Sequence, residues 1–177
     1  GHIRPDGDCI GSQLGLTLAL RAAGKQVTCW NQDPMPQKLA FLDRDRLVGE
    51  PRAGRHFDCV IATDCASFER LGTACDAITD RDLFINIDHH TSNTAYGDLN
   101  WISDREASTG ELIFKLLKAA RWRITPDIAD CRVTAVSTAT GPCPRPTPHP
   151  DTYRIGRQLA DRAASAAKSR RDEYQAT

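Results

Sequence analysis

No C-x-x-C pair, no long apolar run and no net charge occur in this 177-residue sequence. The cysteines (Cys9, Cys29, Cys59, Cys65, Cys75, Cys131 and Cys143) are odd in number and scattered, which argues against a thiolate zinc site. Several lie in apolar stretches, where a free thiol behaves as a small hydrophobe, a usage that suits a reducing cytoplasm. The longest apolar segments are too short to span a bilayer, and no signal peptide opens the chain, so no membrane partner is expected. Lysine plus arginine balance aspartate plus glutamate at 23 each, so no global basic field advertises nucleic acid. A nucleic-acid substrate would have to be recognised locally, through metals and a few arginines. Aromatics are few, yet the hydrophobic fraction of 40% is that of a folded chain, and the length suffices for one domain with or without a tail.

The local patterns alternate between helix and strand. Residues 11–23 predict a helix, with Leu14 and Leu18 one turn apart and Leu16 and Leu20 widening the apolar face. Gly24 ends it, and residues 26–30 predict a short strand. Pro34 and Pro36 precede a short helix near 37–42, and the charged residues 43–56 predict a surface loop. Residues 57–63 form a compact apolar strand ending on Asp64, and residues 83–87 a second one ending on Asp88. Residues 68–77 predict a helix between them. Ser108-Thr109-Gly110-Glu111 has the spacing of a capping box and opens a helix to about residue 120. Thr125-Pro126 opens another short helix, and 133–137 (VTAVS) predicts a last strand. This alternation argues for an α/β domain with a mostly parallel sheet. Residues 142–150 (PCPRPTPHP) break the pattern, because proline at every second position removes ladder donors. A helix over 151–167 and a frayed charged tail follow.

In an open parallel sheet, ligands bind beyond the carboxyl ends of the strands. Asp64 and Asp88 stand at such ends, and His2, Asp6 and Asp8 lie in a turn just before the first helix. With His89 and His90, four carboxylates and three imidazoles are expected to converge from three segments. Taken singly, Asp64 reads equally well as a helix cap, and His2 and Asp6 as ordinary surface polarity. Adjacent histidines after a buried strand are harder to explain without a partner. Carboxylates with imidazoles and no thiolates select Mn²⁺ or Mg²⁺, with Zn²⁺ less favoured. Crowded acidic groups repel unless cations lie among them. Two ions about 3.5–4 Å apart, sharing a carboxylate and a water, are machinery for in-line attack on phosphorus.

The segments HIRPDGDCIGS, VIATD and NIDHH, in this order and spacing, resemble the first three motifs of the DHH phosphoesterase family. The branch they resemble most is that of the bacterial bifunctional oligoribonuclease/pAp phosphatases (nanoRNases), relatives of the RecJ exonuclease. The similarity covers about residues 1–130 and resumes at PDTYRIGRQLAD. It implies a three-layer, Rossmann-like domain over residues 1–160 and a linker helix or frayed tail from 161 to 177. It also implies two bound Mn²⁺ ions, with Mg²⁺ as the alternative. His2 and Asp6 would bind one ion, Asp8 and His89 the other, and Asp64 would bridge them. Asp88 would orient a ligand histidine from behind, and His90 would face the substrate phosphate and assist the leaving oxygen. Ser108 and Thr109, at a helix N-terminus, offer a phosphate seat, although capping explains them equally. The implied substrates are short RNA oligonucleotides or the 3′-phosphate of pAp, in the cytoplasm, with a homodimer left open.

Three departures from the family temper this reading. The fourth motif carries an aspartate in a T-D-T-G setting, where this sequence has Ser137-Thr138-Ala139-Thr140-Gly141. The run PCPRPTPHP replaces an aromatic, strand-forming stretch. The family's first strand and C-terminal substrate-binding domain have no counterpart here. The expectation is therefore a partial domain, perturbed over 132–149 as by a reading-frame slip, with impaired activity. A cyclic-dinucleotide phosphodiesterase, a pyrophosphatase and a non-catalytic remnant that binds metal or nucleotide are the rival readings.

Overall fold

The computed structural model describes residues 1–139 of the protein. The proline-alternating run, the residues 151–167 expected to be helical, the expected tail and Cys143 lie outside the described residues. Helix α1 spans Gly7–Ala22 and starts four residues earlier than its apolar spacing suggests. The cause is Asp6, whose Oδ1 accepts hydrogen bonds from the N–H groups of Asp8 and Cys9, both at 3.0 Å. Strand β1 (Cys29–Trp30) pairs in parallel with β2 (Val48–Gly49). The expected strand over 26–30 is thus reduced to its last two residues, and the expected loop 43–56 contains a strand. Asp43 supports β2 by accepting from the N–H groups of Leu47 and Val48. Between these strands, Gln37–Leu42 forms a 3-10 helix where a short helix was expected.

The main sheet is parallel and ordered β3-β4-β5. β3 covers Val60–Thr63, β4 Phe84–Asp88 and β5 Leu99–Ile102. The sequence pattern does not reveal β5, because an edge strand with Leu99 exposed carries no apolar alternation. The helix expected over 68–77 is broken at Gly72, whose φ of 61° turns the chain. A 3-10 turn at Phe68–Leu71 precedes it, and the one-turn helix α2 (Ala74–Ala77) follows. Helix α3 is Thr109–Ala119, capped by the Ser108 Oγ accepting from the Glu111 N–H. The carboxylate of Glu111 reaches back to the N–H of Ala107, one residue short of the capping-box partner.

Helix α4, Pro126–Ala139, overturns the expected strand over 133–137. VTAVS is rich in β-branched residues and reads as strand in a five-residue window. The longer spacing wins: Ile128, Cys131, Ala135 and Val136 recur at helical intervals and are all buried.

Alternation along β4 separates two layers of packing. Ile85 and Ile87 face the α1, α3 and α4 side, meeting Leu16, Leu112, Ile113, Leu117 and Ile128. Phe84 faces the opposite side with Ala62, Cys65, Leu71, Ala74 and Ile78. The domain is therefore a three-layer α/β structure with every described strand pair parallel. All six described cysteines are unpaired, and Cys9, Cys29, Cys65 and Cys131 are buried among hydrophobes. No described helix is long and apolar enough to cross a membrane.

Glycines set how closely α1 meets α4. A Cβ at Gly7 would strike Thr138, and one at Gly11 would fall within 3.0 Å of the Cys131 carbonyl oxygen. Gly11→Ala gains up to about 1 kcal/mol of helix propensity. Overpacking against a main-chain atom that cannot swing aside costs about 1–3 kcal/mol. Net destabilisation is expected, seen as a lower urea midpoint with an unchanged slope.

On the far side, the exposed His56 hydrogen-bonds Asp80 at 2.9 Å and lies 3.5 Å from Asp82. The Asp80 hydrogen bond, then the charges of Asp82 and Asp80, hold its pKa above the ordinary histidine value. The pairing is complete below that value and fades as pH rises through the raised one. A proton NMR titration should show this raised midpoint, and Asp80→Asn should bring it down.

Candidate metal centre

The carboxyl ends of β3 and β4 and the N-termini of α1 and α3 meet at one point. Asp64 follows β3 with φ at 55°, a left-handed conformation that aspartate tolerates better than most residues. This turn leaves its carboxylate buried between two imidazoles. Its Oδ2 lies 3.6 Å from His2 Nε2, and its Oδ1 lies 3.7 Å from His89 Nε2. One oxygen thus addresses each histidine, the arrangement a bridging ligand needs. Asp6 Oδ1 stands 4.0 Å from His2 Nε2, and Asp8 Oδ2 stands 3.4 Å from His89 Nε2. The two groups expected from the sequence, His2 with Asp6 and Asp8 with His89, are therefore separate in space and share Asp64.

His2 Nδ1 lies 2.7 Å from the Ile3 carbonyl oxygen. A carbonyl only accepts, so Nδ1 carries a proton, and Nε2 is the ring atom that faces the carboxylates and would be freed for a metal on losing its own proton. The neutral ring protonated at Nδ1 is the tautomer such a ligand requires. The donor set of hard oxygens and imidazole nitrogens fits Mn²⁺ or Mg²⁺. The ligand atoms of His2, Asp6 and Asp64 lie within 4.8 Å of one another, as do those of Asp64, His89 and His90. A third such group, His56, Asp58 and Asp82, is exposed and lies by the amino ends of β3 and β4, opposite the carboxyl ends where the cluster sits.

Electrostatics push the two buried carboxylates apart. For Asp8, burial and then the charge of Asp64 drive the pKa well above the usual range, against N–H groups of Gly110 and Thr109 that favour the anion. Burial acts on Asp64 in the same sense, but His2, His89 and His90 together hold it below the usual range. Burial also lowers the His2 pKa, yet Asp64, the Ile3 carbonyl and Asp6 outweigh it and leave the ring raised.

Asp88, at the end of β4, is fully buried and turned to His90, with Oδ1 2.8 Å from Nδ1. Its Oδ2 accepts from Asn93 Nδ2 at 2.6 Å. Asn93 also donates to Asn86 Oδ1, and Asn86 donates to the Tyr96 hydroxyl and the Cys65 carbonyl. The buried Asn86 and the half-buried Asn93 and Tyr96 form a polar scaffold behind His90 that is not among the residues expected from sequence. A signal existed for Asn86, a wholly buried amide in the otherwise apolar LFINI. Ser108 and Thr109 are also wholly buried. The N–H groups of Thr109 and Gly110 donate to Asp8 Oδ2 and Oδ1 at 2.8 and 2.9 Å, and Thr109 Oγ1 donates to Asp64 Oδ1 at 2.9 Å.

The family model described as the DHH family, N-terminal domain, matches residues 1–136. The chain belongs to the DHH family. Among curated proteins it is similar to the bifunctional oligoribonuclease and PAP phosphatase NrnA of Thermus thermophilus, at 32% identity over 89% of this chain and 47% of that protein. The protein of the same name from Bacillus subtilis is 30% identical over 79% of this chain and 44% of that one. The chain spans about half the length of the curated relatives it matches. Among solved structures, an exopolyphosphatase-related protein from Bacteroides fragilis shares the family fold, with a TM-score of 0.76 and 23% identity. That match covers 92% of this chain and 51% of the other.

A carboxylate shared by two ligand groups has a direct consequence. Mn²⁺ at a hundredfold excess over its dissociation constant should stabilise the fold by about 2.7 kcal/mol, read as a rise in melting temperature. Asp64→Ala should abolish that rise altogether, whereas Asp58→Ala, in the remote exposed group, should leave it intact.

Proposed function

We propose that this chain carries the metal-binding core of a phosphoester hydrolase acting on short oligoribonucleotides and on the 3′-phosphate of pAp. The observation that carries the reading is the placement of Asp64, with one carboxylate oxygen toward His2 and the other toward His89. The names of the relatives supply the substrate class. His2, Asp6 and Asp64 would hold one cation, and Asp8, His89 and Asp64 a second, Mn²⁺ or Mg²⁺ in either place. Bound cations supply charge that neutralises phosphate oxygens and lowers the pKa of a water.

The protein's own residues do the rest. His90 is the most exposed imidazole of the cluster, with 31% of its side chain accessible. Asp88 accepts a hydrogen bond from Nδ1–H and fixes the ring, so Nε2 is the atom that would deliver a proton to the leaving oxygen. Asn93 and Asn86 hold Asp88 in place. Position 139 brings no carboxylate where the family carries an aspartate. It ends α4 one residue beyond Thr138, which lies against Gly7 at the rim of the cluster. The second cation is therefore held more weakly than the first, and turnover by this chain is low.

The test is hydrolysis with added Mn²⁺ by the 177-residue chain, measured as phosphate release from pAp and shortening of an RNA trimer. Both should proceed, and His90→Ala should cut kcat by about 10²–10⁴ with a smaller change in KM. Turnover of pyrophosphate or a cyclic dinucleotide, with pAp and the trimer untouched, would assign the site to another branch of chemistry. Calorimetric titration should show one tight and one weak Mn²⁺ event, and two equally tight events would refute the role given to position 139.

A further inference from the structure

We infer that Thr109 is a positioning residue of the metal centre, whose hydroxyl sets the rotation of the Asp64 carboxylate so that each oxygen meets its own histidine. The inference rests on the metal-binding reading above and concerns what makes that geometry single-valued. Thr109 is the first residue of α3, but its hydroxyl does not cap the helix. Ser108 already does so, by accepting from the Glu111 N–H. Thr109 Oγ1 donates instead across 45 residues of chain, to Asp64 Oδ1 at 2.9 Å, with both groups buried. A cap accepts from main-chain N–H groups, whereas this hydroxyl donates to a side chain.

The oxygen chosen is decisive. Oδ1 is the Asp64 atom 3.7 Å from His89 Nε2, and Oδ2 is the one 3.6 Å from His2 Nε2. A carboxylate rotates easily about its last bond unless something distinguishes its two oxygens. Thr109 holds Oδ1 and thereby directs Oδ2 toward His2. The same residue's N–H, with that of Gly110, grips both oxygens of Asp8. Residues 109 and 110 thus orient two carboxylates that reach the centre from different segments. Gly110 keeps this turn close, since a Cβ there would strike Ala135 of α4.

Threonine suits the place for a further reason. Its β-branch restricts χ1 more than serine does, so the hydroxyl is aimed before any ligand binds. Partners of this kind behind metal ligands typically change affinity by about 10–100-fold when removed.

The test compares Thr109→Val, which keeps the shape and loses the hydroxyl, with Thr109→Ser, which keeps the hydroxyl. Mn²⁺ affinity is read by calorimetry, and the melting of the metal-free chain is read alongside. Thr109→Val should weaken the tight Mn²⁺ event by about 10–100-fold, and Thr109→Ser should stay near the native value. Equal affinity of native and Val proteins would overturn the positioning role while leaving the metal reading in place. So would equal weakening by Val and Ser, because the hydroxyl would then not be the cause. No Mn²⁺ binding by the native chain would overturn the metal reading and this inference together. If the Val protein shows no cooperative melt, Thr109→Ala replaces it in the same titration: weakened binding supports the positioning role, and native affinity overturns it.

Discussion

A carboxylate buried in the interior needs donors, and the N-terminus of α3 supplies them to Asp8. The N–H groups of Thr109 and Gly110 meet its two oxygens from 101 and 102 residues away in sequence. Those groups lack helical partners of their own, so a single contact satisfies both the orphan donors and the anion. Without it, α3 would bury unpaired N–H groups and α1 an unpaired carboxyl, each costing about 1–3 kcal/mol. The contact also fixes distance, since Asp8 lies in the first turn of α1. The glycines at 7, 11 and 110 let α1, α3 and α4 close to the separation this contact demands. Helix packing and site geometry are therefore one constraint seen from two sides.

The same centre carries an electrostatic tension that the fold does not dissipate. Asp8 and Asp64 are both buried, and their pKa values move in opposite directions: burial and the charge of Asp64 outweigh the backbone donors at Asp8, whereas three imidazoles outweigh burial at Asp64. Such divergence marks a place arranged for chemistry more often than for stability. Among the described residues, the polar scaffold of Asn86, Asn93 and Tyr96 serves the other half of the centre, where Asp88 meets His90. A wholly buried asparagine in a central strand weakens the core it sits in. Here its Oδ1 holds Asn93, which in turn keeps Asp88 aimed.

Much of this was legible in the sequence, for identifiable reasons. Asp64 and Asp88 end apolar runs, and strand ends in a parallel sheet are where ligands collect, so the two carboxylates were located by pattern alone. Ser108 was readable as a cap because capping is local. The failures are equally physical. VTAVS has the propensity of a strand, and only the longer spacing from Ile128 to Val136 shows the helix that packing selects. Leu99–Ile102 is an edge strand without alternation, held in register by β4 and by Asp98, which accepts from the Phe84 N–H. The link from Thr109 to Asp64 was invisible, because nothing in a sequence states which hydroxyl meets which carboxylate 45 residues away.

Two helix N-termini point at this centre, and a helix N-terminus is ordinarily where a phosphate would sit. Here each is already occupied by an aspartate of the cluster. Asp6 takes the first N–H groups of α1, and Asp8 takes those of α3. The backbone donors at the start of α3 that a phosphate would use are thus committed to carboxylates. A phosphate approaching the described residues would meet the exposed Asp6, with the buried carboxylates of Asp8 and Asp64 behind it, an acidic cluster that disfavours an anion. Cations bound among those carboxylates reverse the sign of the field the phosphate meets. On the function proposed above, phosphate recognition would be conditional on metal binding. The helix termini would then serve the carboxylates proposed to hold the metal, and His90, at the accessible edge, would be left to meet the substrate.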